Sequence, residues 1–377
     1  MRNQKVCIIG DGLTGLTTAM VLSKLNLDIN FISPVKKNTK IIDNRTTAIS
    51  PDNLKFISNF FGEKNIKLFW PSKEINLYYE DFEGYKNFLK FEKKGKNLMY
   101  IIKNNKLKEI IKKSILKNKK IEFINTDVKE INQKDSTVTI KGKKINYDLI
   151  LLCVGKNSDL VKKLVGERSL YNDFNEMALT TMIKHNSSIK NTRQYFTKEG
   201  PLAILPISKN EFSLVWSINR KLAFEVDQDL IKKKLEILLN LKGPIKLSKP
   251  ELFPITFRIN VNLLKKNFFV LGEGSYNIHP VAGQGFNLIL RDIKKLGKEL
   301  ENFLSLGIQI KNSPLLLKVV SERKPENLLF GMGINLIHKF FKNNKISDPV
   351  KKIILKDINK LNFLKKISLG IANKGFF

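Results

Sequence analysis

The sequence predicts an α/β protein: a Rossmann-like nucleotide-binding domain, an antiparallel β-sheet domain inserted into it, and a C-terminal helical region. Three observations carry that reading. The apolar run Lys5 to Ile9 leads straight into Gly10-Asp11-Gly12-Leu13-Thr14-Gly15 and then into apolar residues at helical spacing. A second strand–loop–helix unit comes much later, Phe268 to Asp292, reading FFVLGEGSYNIHPVAGQGFNLILRD. Between them, from about Arg168 to Ile259, the pattern is one of alternating strands joined by short turns. The nucleotide site is therefore completed by residues far along the chain from its start, and the second domain is inserted rather than appended.

The first unit is a G-x-G-x-x-G in strand-to-helix context. Its first glycine makes the turn, the second lets a pyrophosphate approach, and the third lets helix pack on strand. A second strand, Asp28 to Ser33, completes the first βαβ step. That fingerprint asks for an acidic residue about 20 residues on to grip a ribose. Ser33 stands there, followed by Lys36 and Lys37, so the charge-assisted bond is missing.

The polar loop Asp43 to Thr47 enters a helix at Ser50 to Phe60; Arg45 in this loop is either a solvated charge or a phosphate ligand. Lys73 to Glu80 reads as a strand and Leu107 to Leu116 as an amphipathic helix. Ile121 to Ile131 and Ser136 to Ile140 read as strands around a charged turn, and Tyr147 to Val154 as a buried strand ending at Gly155. The inserted sheet takes Met177 to Lys184, Arg193 to Phe196, Leu202 to Pro206, Phe212 to Ile218 and Glu251 to Ile259, with a helix at Gln228 to Leu239. Residues 1–72, 91–165 and 260–312 are assigned to the nucleotide domain, 73–90 and 166–259 to the inserted domain, and 313–377 to the helical region.

In the late unit, Gly272 and Glu273 sit at the carboxyl end of a strand, where ligands dock in open α/β sheets. Gly283, Gln284 and Gly285 put unpaired backbone N–H groups at a helix start, which favours negative charge. An ordinary strand–loop–helix turn is the alternative for this stretch taken alone.

Composition excludes several classes. At 377 residues, with 42% hydrophobic and 27% charged residues, the chain has room for two domains and the make-up of a globular protein. No apolar run approaches the roughly 18 residues of a membrane span, and the first residues enter a strand rather than a signal peptide, so a cytoplasmic protein is expected. The net charge of +32 is nearly all lysine spread along the chain, not clustered among stacking aromatics. A nucleic-acid partner is not expected; attraction to anionic lipid headgroups is. Cys7 and Cys153 fall in apolar runs and read as small buried residues. His185, His279 and His338 lie far apart with no Cys or acidic cluster beside them, so no metal site is expected.

These residues resemble the flavin-dependent aromatic hydroxylases, and within them the ubiquinone-biosynthesis branch acting on polyprenylated phenols. The similarity covers nearly the whole chain. It rests on GDGLTG at residues 10–15, GPLAILPISKNEFSLVWS at 200–217, IHPVAGQGFNLILRD at 278–292 and SERKPENLLFGMG at 321–333. The resemblance implies FAD as cofactor, NAD(P)H as electron donor, O2 as co-substrate and ring hydroxylation through a flavin hydroperoxide, with no catalytic side chain. It implies that Gly10, Gly12 and Gly15 hold the pyrophosphate and that Arg45 sits beside the FAD. Glu273, at a position usually Asp, would bond the ribityl chain; Gly283, Gln284, Gly285, Phe286 and Asn287 would line the isoalloxazine. Phe196, Leu205 and Trp216 are candidates for an apolar substrate wall, or ordinary sheet core. Three positions depart from the family pattern: Ser33, Val154 where an Asp is usual, and Tyr276 where a His is common. Ser33 and Val154 leave open a non-catalytic scaffold in a quinone-biosynthesis complex; a flavin-dependent prenyl-chain reductase is the other alternative. Peripheral contact with the inner face of the membrane is expected through a helix bearing Ile354, Ile358, Leu361, Leu364 and Ile367.

Overall fold

The computed structural model describes residues 3–35, 43–155, 158–166, 168–241, 243–260, 262–280, 283–342 and 369–375. At its centre is a six-stranded sheet in the order Leu264–Lys265, Phe268–Val270, Leu149–Leu152, Gln4–Ile9, Leu27–Ser33, Ile121–Asn125. Every pairing is parallel except that of the two-residue edge strand. Parallel strands are covered on both faces, which is why Val6 to Ile8 and Leu149 to Leu152 are unbroken apolar runs and are fully buried. The helices α1 (Leu13–Leu22), α2 (Pro51–Phe61) and α3 (Asn104–Ile115) pack in this domain. So do α4 (Asp159–Val165) and, from much later in the chain, α7 (Gly285–Ser305).

The second body is a nine-stranded sheet built on the 16-residue strand Ser169–Lys184. One of its faces is sealed by α5 (Arg220–Glu225) and α6 (Gln228–Leu239). Tyr195, Leu202, Ile204, Phe212, Leu214 and Trp216 form a core with Ile231, Leu235 and Leu238 there. The other face carries Ala178, Phe196, Ile255 and Phe257, which join the core of the nucleotide-binding side. Glu74–Asp81 and Gly84–Glu92, early in the chain, extend this sheet by parallel pairing of Glu74–Asp81 with Thr192–Thr197.

Two strand expectations change. Ile121 to Ile131 is not one strand: Ile121–Asn125 closes the central sheet, while Glu130–Asn132 belongs to a separate three-stranded meander. Between them Asp127 accepts a hydrogen bond from Val35 N at 3.2 Å, a side-chain bond that competes with continued pairing. The strand expected from Met177 begins at Ser169 instead. It passes through a bulge between Asp173 and Glu176, where Asn175 has φ 55°.

The chain ends with α8 (Leu315–Lys342) and, after undescribed residues, helical residues 369–374. These return to the nucleotide domain: Arg291 donates to the Ile371 and Ala372 carbonyls (3.1 and 2.8 Å), and Asn373 Oδ1 accepts from Asp52 N at 3.1 Å. The amphipathic helix expected around residues 354–367 lies outside the described residues.

Candidate active site

The glycine loop works by contact on two sides and space on the third. A Cβ at Gly10 (φ +120°) would meet the Cys153 carbonyl oxygen at 2.4 Å, and one at Gly15 would meet the Gly10 carbonyl oxygen at 1.9 Å. At Gly12, the N-cap of α1, a Cβ would meet nothing within 4 Å. The turn and the helix packing are therefore closed, and the space over the helix start is open to an anion. Gly272 (φ +80°) is required by its neighbour as well: its Cβ would lie 2.6 Å from Thr14 Oγ1, so this glycine lets the late loop pack on α1.

Ser33 ends its strand half-buried, with its carbonyl accepting from Thr126 N at 3.0 Å. The missing carboxylate is not absent from the neighbourhood. Asp127, bonded to Val35 N, brings one to this strand end from the adjacent strand. Sequence reasoning had no signal for it, since the two positions are 92 residues apart.

Arg45 is held in place by Asp43, donating at 2.8 and 3.1 Å, and its guanidinium lies 5.0 Å over the Phe253 ring. Burial raises the Asp43 carboxyl, but the Arg45 hydrogen bonds outweigh it and leave the group below the usual range. The hydrogen bond to Asp43, and more weakly the charge of Glu273, hold Arg45 protonated. Glu273 is exposed in the one-turn helix Gly272–Gly274, whose Gly274 carbonyl accepts from Asn260 at 2.6 Å.

At the start of α7, a Cβ on Gly283 would touch Ala48 at 3.4 Å, and Gln284, the N-cap, has its Oε1 buried without a partner. An unsatisfied buried oxygen at a helix start marks a place where a donor is due. The Asn287 side chain is fully committed: it accepts from Ser50 N and Asn53 Nδ2 (both 2.9 Å) and donates to the Ala48 carbonyl (2.9 Å). These bonds tie α7 to α2. Phe286 packs half-buried against the core.

The three substrate-wall candidates separate. Trp216 is 1% exposed on the face covered by α6, away from the nucleotide domain. Phe196 does face that domain, but Phe341 of α8 stacks on it at 3.7 Å. Leu205 remains, packed with Ala48, Met99 and Ile101. Opposite Leu205 in register is Ser213, whose buried hydroxyl has no partner, like that of Thr180 nearby in the sheet.

The expectation that the histidines stand apart is overturned. His279 Nε2 lies 3.2 Å, and His338 Nε2 3.0 Å, from the same Glu176 oxygen; all three residues are buried, and Lys342 pairs with the other oxygen. Tyr276, in place of the common His, donates to buried Asp292 at 2.7 Å. Asp292 also accepts from Arg323 (2.7 Å) and Asn327.

A nucleotide loop with an open Gly12, a late strand–loop–helix with an orphaned Gln284 oxygen, and a sheet roofing both define the FAD-dependent monooxygenase fold. Solved structures agree. PqsL, a probable FAD-dependent monooxygenase from Pseudomonas aeruginosa, superposes with TM-score 0.76 at 16% identity, over 91% of this chain and 98% of that one. p-Nitrophenol 4-monooxygenase from Pseudomonas putida gives 0.76 at 15%, over 97% and 96%. No protein-family model matches the chain. Among curated sequences, the ubiquinone biosynthesis monooxygenase COQ6 of Dictyostelium discoideum is 25% identical over 97% of this chain and 90% of its own length. The 3-demethoxyubiquinol 3-hydroxylase of Escherichia coli is 23% identical over 91% and 92%. The chain is thus similar over nearly its whole length to two hydroxylases of ubiquinone biosynthesis, and it shares the fold of FAD-dependent monooxygenases. The residues present fit FAD: an uncluttered helix start for the pyrophosphate, an oriented arginine, and a helix N-terminus with an unpaired buried oxygen for the ring.

Proposed function

We propose that this chain is an FAD-dependent monooxygenase that hydroxylates the aromatic ring of a polyprenylated phenol in ubiquinone biosynthesis, using NAD(P)H and O2. The observation that carries the reading is the end-to-end similarity to two ubiquinone-pathway hydroxylases, joined to a glycine loop that leaves the space at Gly12 open. Bound FAD supplies hydride acceptance and oxygen activation; the protein supplies position, charge and dryness.

Each role falls to groups described above. The α1 N-terminus at Gly12 takes the pyrophosphate. Arg45, oriented by Asp43, stands beside the cofactor, and Glu273 takes hydroxyls of its chain. The Gly283 amide is taken by the Pro280 carbonyl at 3.0 Å, so the amides left to face the ring would be those of Gln284 and Gly285, where the α7 dipole would stabilise negative charge. The inward face of the large sheet, with Leu205 and the unpartnered Ser213 and Thr180 hydroxyls, covers the substrate and excludes water.

No helix among the described residues is long and apolar enough to cross a membrane. Peripheral contact is supported by α8, on which Leu329, Met332 and Leu336 are half or more exposed along one side, on a chain of net charge +32. Incubation of the FAD-loaded protein with prenylphenols, NAD(P)H and O2, followed by mass analysis, tests the activity. A product carrying one added oxygen atom supports it. NAD(P)H oxidation yielding only peroxide, or a saturated prenyl chain, rejects it. Sedimentation with anionic vesicles, compared for wild type and Leu336→Glu, tests the membrane contact.

A further inference from the structure

The buried cluster at Glu176 has no part in the roles above, yet it joins three segments. Glu176 comes from the bulge of the long sheet strand, His279 from the loop that leads into the flavin-facing turn, and His338 and Lys342 from α8. The carboxylate is 2% exposed; the two imidazoles lie 4.3 Å apart, and Phe174 packs edge-on against both, at 5.1 and 4.8 Å. Pro280, which follows His279, accepts the Gly283 amide at 3.0 Å, so the position of His279 is passed directly to the turn before Gln284.

A divalent cation is the rival occupant. Oxygen–nitrogen separations of 3.0 and 3.2 Å are close to the roughly 3.3 Å edge of a tetrahedral zinc site. The Lys342 ammonium on the same carboxylate argues against it: Glu176 is already neutralised, and a dication would add two uncompensated charges to a buried site.

We propose that Glu176 is a positioning residue: through His279 it fixes the adjacent Pro280 carbonyl that holds the Gly283 amide at the start of the ring-facing helix, and through His338 and Lys342 it makes that anchor depend on the seating of α8. This rests on the FAD reading of Gly283–Gly285. Charge-bearing hydrogen bonds in a dry site are strong and directional, so a carboxylate shared by two elements holds both.

The test uses Glu176→Gln, which keeps the shape but loses the charge, and His338→Asn, which cuts the α8 arm. In both, amide exchange of residues 276–290 in the FAD-free protein is expected to rise about tenfold. In the loaded protein the flavin absorption band is expected to shift, and peroxide released per NAD(P)H to rise severalfold, at unchanged KM for NAD(P)H. Lower melting temperature with unaltered loop exchange and an unaltered flavin band would reduce the cluster to ordinary packing and overturn the proposal. Stoichiometric zinc in the wild type that is lost in Glu176→Gln would overturn it too, since the carboxylate would then be a metal ligand. If the wild type takes up no FAD, the function reading fails, while the exchange experiment still decides the positioning role.

Discussion

Replacing Gly12 by valine should separate cofactor binding from folding. The Cβ direction at Gly12 is free of protein atoms to 4 Å, and its φ of −73° suits any residue, so the substitution creates no clash within the chain. The folding cost is that of a poor N-cap, about 1 kcal/mol, and thus a fall in melting temperature of only about 2–4 °C. The branched side chain fills the space through which the pyrophosphate reaches the α1 amides. FAD affinity should drop by at least about 100-fold, some 2.7 kcal/mol. Gly15→Ala is the counterpart: its methyl would sit 1.9 Å from the Gly10 carbonyl oxygen, and that backbone atom cannot yield cheaply. That variant should lose folded protein rather than FAD selectively. Thermal melts and titration of flavin fluorescence measure both. A well-folded Gly12→Val protein binding FAD within threefold of wild type would refute the placement of the pyrophosphate.

Ser33→Glu should tighten FAD binding by supplying a ribose ligand, and Asp127→Ala should weaken it, both read by titration; opposite signs would move the adenosine elsewhere. Tyr276→Phe strips a donor from buried Asp292, whose carboxyl burial already pushes upward, and should cost about 1–3 kcal/mol in denaturant melts. Acid should destabilise the fold in two stages. Burial depresses His279 below its ordinary 6.5, so the unfolded chain binds more protons there and stability falls as pH drops through about 6.5. Burial pushes Glu176 upward, but hydrogen bonds from His279, His338 and Lys342 win and hold it well below the carboxylate range, adding a further loss below about pH 4.3. A melting temperature flat from pH 7 to 5 would contradict this ordering.

Much of the architecture was legible because local pattern and tertiary role coincide. Strands buried on both faces leave unbroken apolar runs, and a glycine needed against a backbone oxygen, as at Gly15, leaves a fixed spacing. The wall of the site was less legible, because alternation says that a strand has two faces and not which faces the cofactor; Trp216 and Leu205 look alike in sequence. The bulge at Asn175 and the meeting of Glu176 with His279 and His338 were invisible. Their partners lie 103 and 162 residues away, and none carries a local signature. Gly272 adds a reason the motif does not reveal: a side chain there would strike Thr14.

The order of the central sheet also bears on how the chain is made. Gln4–Ile9 lies between Leu27–Ser33 and Leu149–Leu152, and the latter waits in turn for Phe268–Val270. At roughly 5–20 residues per second, the first strand spends on the order of ten seconds on a ribosome with one side unpaired. Such long-range parallel pairing is slow to form and exposes apolar edges meanwhile. Growth at lower temperature, or chaperone supply, should therefore raise the soluble yield of this protein more than additives that act on the finished fold.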